Sequence, residues 1–248
     1  SHGGIMRGEF DELYNALFSN AELYISVVKA LAQHHDGMTR TEISKVIGAN
    51  GGTLTRVLTN LERCDFISRS QNFGCKTKDT IYRLMDFYTL FYYKFIAQDT
   101  SGDEQWWSHN FESRLVSTWQ GLTFEIVCLM HTDCIKKALG ISGMATEVSS
   151  WRKVADDKQR GGQIDLVIKR ADRIVHLCEM KFSKSEYRIT DAYEQLLRQR
   201  MELFQSSTKT KLSLVITFVT TYGVADGLHH SIVHSEVTMS QLFIRNVT

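Results

Sequence analysis

Hydrophobic residues recur at helical spacing in the first third of the chain, where they predict three successive helices. The first spans Ala21 to Gln33. Thr39 caps the second, with Glu42 three residues further on as a capping box, and Gly48 ends it. The third begins at Thr53, after a glycine-rich turn. Helix, tight turn and helix together are the plan of a helix-turn-helix.

Two short β-rich runs after the third helix predict a winged-helix domain. Phe66–Arg69 and Ile81–Leu84 are the expected strands, and the polar loop between them is the expected wing. The third helix of such a domain enters the major groove of DNA, so Arg56 is a candidate for base contacts and Lys76 and Lys78 of the wing for phosphate contacts. A protein-interaction or spacer module is the alternative, because the third helix carries few cations.

The run of aromatic residues over 84–96 predicts a buried helix that links two domains, rather than a base-stacking platform. The polar stretch 98–105 marks the boundary. A chain of 248 residues is long enough for two domains, which we expect over residues 9–97 and 105–248.

The candidate chemistry lies in the second half, on a predicted hairpin. Gln163–Lys169 and Ile174–Lys181 are β-rich runs on either side of a short charged turn. Antiparallel pairing about that turn places Asp165 opposite Glu179, with Cβ atoms roughly 4.5–5.5 Å apart. Lys181 shares a face with Glu179 because side chains alternate along a strand. Adjacent carboxylates repel unless a cation lies between them, which favours Mg²⁺, with Mn²⁺ as the alternative.

The segments around the hairpin predict a mixed sheet covered by helices. A helix over about 113–137 carries Glu125 in an apolar setting, where it either faces solvent or points into a metal site. An amphipathic helix over 189–204 and a buried strand over 212–220 follow the hairpin. The histidines between 229 and 234 are predicted to lie in a loop without a metal, because no strand or helix frames them.

Composition indicates the cellular compartment in which the protein is expected. No run approaches the roughly 18 apolar residues that a membrane helix requires, so we expect no membrane partner. The five cysteines include no CxxC pair, which favours a reducing cytoplasm over a disulfide framework or a zinc site. The opening SHGGIM lacks the basic start and apolar stretch of a secretory signal.

An acidic helix position, then Ile-Asp, then Glu-x-Lys on the next strand is the pattern of PD-(D/E)XK nucleases. The segments GLTFE, TEVSSWR, GGQIDLVI, LCEMKFS and TTYGV resemble the C-terminal region of prokaryotic AAA-type ATPases of the DExx-box class. The resemblance implies that Asp165 and Glu179 hold the metal and that Glu125 supports it from the preceding helix. It also implies that Lys181 orients or deprotonates the attacking water.

The same resemblance implies DNA as a partner. On the helix after the Glu-x-Lys strand, Gln195 and Arg198 are candidates for phosphate contacts, with a solvated helix face as the alternative. The ATPase domain of a longer parent chain is the other implied partner. The sequence holds no GxxxxGK[ST] loop, so we expect no ATP hydrolysis by this chain alone.

Together these features predict an α+β chain in which a winged helix precedes a restriction-endonuclease-like α/β domain with a mixed sheet. The expected function is metal-dependent phosphodiester hydrolysis on DNA. A non-catalytic DNA- or partner-binding regulatory module of an ATPase is the main alternative. A regulator acting through the winged helix is a third, and it would need more base-reading residues.

Overall fold

The computed structural model describes residues 2–75, 79–98, 103, 105–155 and 160–243. It divides into two compact units, one formed by Ser1–Ser70 with Thr77–Val116 and the other by Gln71–Lys76 with Ser117–Thr248. Each unit contains a β-sheet and helices, so the chain is of mixed α+β class, as predicted. Among the described helices, none is both long and apolar enough to cross a membrane.

The first unit is built around a three-stranded antiparallel sheet with the order β1-β3-β2. The capping box of the second predicted helix is present: the Thr39 side chain accepts from the Glu42 backbone N–H, and Glu42 accepts from the Thr39 backbone N–H. The described elements are α1 (His2–Leu17), α2 (Ala21–Gln33), β1 (Met38–Thr39), α3 (Arg40–Ile47), α4 (Gly51–Arg63), β2 (Ile67–Ser70), β3 (Ile81–Leu84), α5 (Phe87–Phe91), a π-helical segment (Tyr92–Ile96) and α6 (Trp106–Asn110).

The aromatic run after β3 is buried only in part, because Phe95 is buried whereas Phe87 is 37% exposed and the tyrosines are half-buried. Phe10 of α1 stacks on Tyr92 with ring centroids 3.8 Å apart, and the hydroxyl groups of Tyr14 and Thr89 lie 2.9 Å apart. Sequence analysis did not predict α1, and it placed the start of α4 at Thr53 rather than at Gly51. The aromatics of α5 and the π-helical segment therefore serve in part as core for the unit.

The second unit is a five-stranded mixed sheet with the order β4-β5-β6-β7-β8. The pairs β4–β5 and β5–β6 are antiparallel, and β6–β7 and β7–β8 are parallel. The described elements are α7 (Arg114–Met130), α8 (Thr132–Ala138), β4 (Thr146–Lys153), β5 (Gly162–Arg170), β6 (Ile174–Lys181), α9 (Asp191–Thr208), β7 (Ser213–Thr220), a 3₁₀ turn (His230–Ile232), β8 (Val233–Thr238) and α10 (Met239–Leu242).

Two predictions for this unit are wrong in part. The helix expected over 113–137 is interrupted at His131, so α7 and α8 are separate helices. The histidine loop contains a strand, because β8 begins at Val233 and pairs in parallel with β7. This strand was missed because its alternation of apolar and polar residues is weak.

Part of the predicted wing groups with the second unit. The Asn72 side chain exchanges two hydrogen bonds with the backbone of Arg152 on β4, at 3.2 and 3.0 Å. The Phe73 and Phe204 rings lie 4.9 Å apart between centroids. This stretch of the loop is therefore held by packing, which differs from the free polar wing that the sequence predicted.

β6 is the central strand and is buried along most of its length. Cys178 and Met180 belong to a core that includes Phe124 of α7 and Leu242 of α10. Leu177 belongs to a second core that includes residues of α9. A strand buried on both sides leaves little space for charged groups unless they are paired.

The predicted register of the β5–β6 hairpin is confirmed over the pairs that form. These pairs are Leu166 with Cys178, Val167 with Leu177, Ile168 with His176 and Lys169 with Val175. Arg173 in the turn has a φ of 73°, a left-handed conformation that lets the chain reverse.

His176 lies on β6 and is 1% exposed. Its Nδ1 lies 2.8 Å from Thr217 Oγ1, and its Nε2 lies 3.3 Å from a guanidinium nitrogen of Arg170. Because arginine only donates, Nε2 must accept, and the imidazole is neutral. Burial, together with the Arg170 charge, lowers the pKa of His176 to about 4.

This shift predicts an acid-sensitive fold. Below about pH 6.5 the unfolded chain protonates His176 whereas the folded chain does not. The contribution of neutral His176 to the unfolding free energy is therefore complete above pH 6.5 and is lost as the pH falls to about 4. Between pH 6.5 and 4 we expect the unfolding free energy of His176→Asn to fall by roughly 2–3 kcal/mol less than that of the wild type. Chemical denaturation at several pH values measures it. The exposed His34, which lies in the first unit, supplies the control as His34→Asn. Equal pH dependence in the wild type and His176→Asn would contradict the assignment.

Candidate functional site

Among the described residues of the second unit, one carboxylate is buried, that of Glu179 on β6, which is 9% exposed. Its Oε1 accepts a hydrogen bond from the Tyr193 hydroxyl and lies 2.9 Å from Lys181 Nζ. Its Oε2 accepts from the Arg200 guanidinium at 2.5 Å. Two cations and one phenol thus stabilise a carboxylate whose burial would otherwise be costly.

Helix α9 supplies two of these three donors. Thr190 caps the helix by accepting from the Tyr193 backbone N–H. Tyr193, Leu197, Arg200 and Phe204 follow one another at spacings of four, three and four residues, which places them on one helix face. Leu197 and Phe204 on that face are fully buried against the sheet. The same face therefore carries both the packing residues and the two groups that reach Glu179.

Lys181 is held between Glu179 and an aromatic ring. Its Nζ lies 5.2 Å from the centroid of the Tyr193 ring, a cation–π geometry. Burial lowers the pKa of Lys181, but the Glu179 carboxylate, together with Tyr187 and Glu125, raises it, so the net pKa lies above the usual value. Lys181 is therefore charged at neutral pH.

Two tyrosines border the carboxylate. Burial, and then the Glu179 charge, raises the pKa of Tyr193, so its phenol remains a donor. Burial likewise raises the pKa of Tyr187, whose ring lies edge-on to that of Tyr193 with centroids 5.9 Å apart. Both phenols therefore stay neutral across the physiological range.

Asp165 lies where β5 and β6 cease to pair. The pairs between the two strands end at Leu166 and Cys178, so Asp165 and Glu179 are the next residues on their strands. The β4–β5 pairing shifts register in this stretch, and Ile164 and Val167 belong to the same core although they are three residues apart. This bulge interrupts the alternation on which the predicted cross-strand pair relied. Bulges beside strand ends commonly redirect side chains, and the Gln163 amide donates to Asp165 Oδ1 at 2.8 Å.

Glu125 lies on α7 and is half-buried. Its charge contributes to the raised pKa of Lys181, so the two groups are within electrostatic reach. The neighbouring Phe124 and Cys128 are packed in the core on that side of the sheet. Of the predicted quartet, Glu179 contacts Lys181, and Glu125 is within electrostatic reach of Lys181. Asp165 lies on β5 at the end of the β5–β6 pairing.

The predicted nucleic-acid contacts on α9 belong to pairs other than those of Glu179. On α9, Gln195 donates to Asp191 and Arg198 donates to Glu194, each at 2.9 Å, so both belong to exposed pairs along the helix. Arg56 is exposed on α4 in the first unit. The predicted contacts of Lys76 and Lys78 lie outside the described residues. Sequence analysis selected Gln195 and Arg198 on α9, whereas Tyr193 and Arg200 are the residues of this helix that contact Glu179. The helical spacing of Tyr193 with the apolar Leu197 was the signal that could have identified Tyr193 and Arg200.

Two of the histidines after β7, His229 and His230, are paired with carboxylates. His229 Nδ1 lies 2.6 Å from Glu194, and His230 Nε2 lies 2.8 Å from Glu236. Glu236 also accepts from the Val224 backbone N–H at 2.9 Å. These pairs connect the segment before β8 to α9 through Glu194 and to β8 through Glu236.

The expected metal would have few carboxylates as ligands. Within the described ranges, no three His, Cys, Asp or Glu side chains are grouped so as to hold an ion. Mg²⁺ often uses only one or two carboxylates and keeps several waters, so Asp165 and Glu179 at the end of the shared ladder match that donor set. An ionised carboxylate has about four acceptor positions, and the described donors to Glu179 fill three.

Comparison with known proteins gives no family assignment, since no family model matches the chain and no curated protein matches it either.

The contacts of Glu179 predict its effect on stability. Replacing it by alanine leaves Lys181 and Arg200 without their shared counter-ion. We expect Glu179→Ala to lower the unfolding free energy by roughly 2–3 kcal/mol, less than for a fully buried pair because both cations are partly exposed. Glu147→Ala removes an ion pair with Lys169 whose carboxylate is 74% exposed, and we expect a loss below about 1 kcal/mol. Equal losses, measured by urea denaturation, would contradict the structural role of Glu179.

Proposed function

We propose that the second unit is a metal-dependent nuclease module of the PD-(D/E)XK type. The observation that carries the proposal is the end of the β5–β6 ladder, where Asp165 and Glu179 follow the last pair and Lys181 contacts Glu179. The order of α7, β4, β5, β6, α9 and β7 supports it, because a helix, a three-stranded meander, a helix and a further parallel strand fit the expected domain.

The chain's own residues would act as follows. Asp165 and Glu179 hold a divalent ion, and Glu125 adds negative charge from α7. When bound, the ion polarises a phosphodiester and lowers the pKa of a bound water. Lys181, which is charged, offsets the negative charge that develops on the phosphate. Its role is thus electrostatic, and the resemblance-based alternative of a lysine that removes a proton is less favoured.

The first unit supports a DNA partner in the same proposal. Its helices α2, α3 and α4 and its three-stranded sheet fit a winged-helix domain, and Arg56 is exposed on α4, where base contacts are expected. Thr55 is less suited to reading bases, because its hydroxyl accepts from Arg40 and donates to the Gly51 carbonyl. The ATPase domain of a longer parent chain remains the proposed protein partner.

A second candidate function is a non-catalytic regulatory module that binds DNA or a protein partner. The contacts of Glu179 favour it, because Lys181, Tyr193 and Arg200 already compensate the carboxylate without a metal. A structural ion-pair network of this kind stabilises a fold with no chemistry attached.

Calorimetric titration with Mg²⁺ and Mn²⁺ distinguishes the two functions. We expect the wild type to bind one ion per chain, and Asp165→Asn to weaken that binding at least tenfold and to abolish metal-dependent nicking of plasmid DNA. Asp172→Asn, in the exposed turn of the same hairpin, is the matched control and should behave as the wild type. No binding by the wild type, together with retained DNA binding, would exclude the nuclease and leave the regulatory module.

A further inference from the structure

The first turn of α4, the helix that is proposed to read DNA, has little support from its own sequence. Gly48 and Gly51 have φ values of 68° and 61°, which are left-handed, and Gly52 follows them. Within the described residues the Asn50 side chain makes no capping hydrogen bond, and a Cβ on Gly51 or Gly52 would meet no described atom within 4 Å. Glycines and a missing cap both weaken the start of a helix.

Arg40, the first residue of α3, contacts this turn from outside the helix. Its Nη2 donates to the Gly51 carbonyl oxygen at 2.7 Å and to the Thr55 hydroxyl at 3.2 Å. The Thr55 hydroxyl in turn donates to the Gly51 oxygen at 3.2 Å. A charged side chain thus connects the start of α3 to the first turn of α4, across 11 positions of sequence. Hydrogen bonds from charged donors are stronger than those between neutral groups.

We propose that Arg40 is a positioning residue for DNA recognition, which orders the first turn of α4 and does not itself contact the nucleic acid. The inference rests on the proposed role of α4 and adds the residue that prepares this helix for binding. Residues near the N-terminal end of a recognition helix contact base edges in the major groove, so disorder in this turn would misplace Arg56. A turn that is ordered in advance avoids an entropic cost on binding.

A direct phosphate contact is the competing interpretation, because Arg40 is exposed and charged. The two interpretations differ in the salt dependence of DNA affinity. Loss of one phosphate contact lowers the slope of log affinity against log salt by about 0.9, whereas loss of a positioning residue lowers the affinity and leaves the slope unchanged. They also differ for lysine, which binds a phosphate as a point charge but has a shorter side chain and no guanidinium.

Fluorescence anisotropy with a labelled DNA duplex of mixed sequence tests the role of Arg40 in the full chain, at several salt concentrations. We expect Arg40→Gln to bind about three- to tenfold more weakly than the wild type, with an unchanged salt slope. Arg40→Lys should also bind more weakly, although it keeps the charge. Arg69→Gln makes the same charge change in the same unit, but Arg69 pairs with Glu62, so its affinity should stay within about twofold of the wild type.

Amide hydrogen exchange supplies a readout that does not depend on DNA. The acceptors of the Thr55 and Arg56 amides in an α-helix are the carbonyls of Gly51 and Gly52. We expect these two amides to exchange faster in Arg40→Gln than in the wild type, while the amides in the last turn of α4 keep their rates. Unchanged exchange of Thr55 and Arg56, or equally faster exchange throughout the first unit, would overturn the positioning role.

The outcomes separate this inference from the proposed DNA partner. DNA binding by the wild type that Arg40→Gln retains in full would overturn the positioning role and leave the DNA partner intact. A loss of affinity with a salt slope lower by about 0.9 would also overturn it, since Arg40 would then contact a phosphate. Wild-type affinity in Arg40→Lys, together with a loss in Arg40→Gln, would overturn it for the same reason. No DNA binding by the wild type would overturn both proposals.

Discussion

The burial of the Glu179 carboxylate is the constraint on which the second unit depends. β6 is the central strand of the sheet, and a charge on it must be compensated where little water reaches. Lys181 supplies part of the compensation from the same strand, and Tyr193 and Arg200 supply the rest from α9. The position of α9 on the sheet is therefore fixed by polar contacts as well as by its apolar face.

That arrangement connects stability to the proposed chemistry. Lys181, Tyr193 and Arg200 compensate the buried Glu179 carboxylate, and a metal ion would have to bind the same carboxylate together with them. The structural and the catalytic accounts then differ in one respect, namely whether Glu179 also binds a divalent cation.

Local sequence patterns predicted much of the fold. The capping box at Thr39 and the register of the β5–β6 hairpin depend on neighbouring residues and were predicted correctly. The bulge near Asp165 was not, because it depends on how β4 pairs with β5, which no local pattern encodes. At the site, the alternation of side chains along β6 predicted that Glu179 and Lys181 share a face. The contact between Arg200 and Glu179 was not predicted, because the two residues are 21 positions apart in the sequence.

Anomalous diffraction from crystals grown with Mn²⁺ tests the central claim most directly, since it locates the ion without relying on activity. The account predicts a single strong peak beside the carboxylates of Asp165 and Glu179. A structure at millimolar Mn²⁺ with no peak at that position would contradict it.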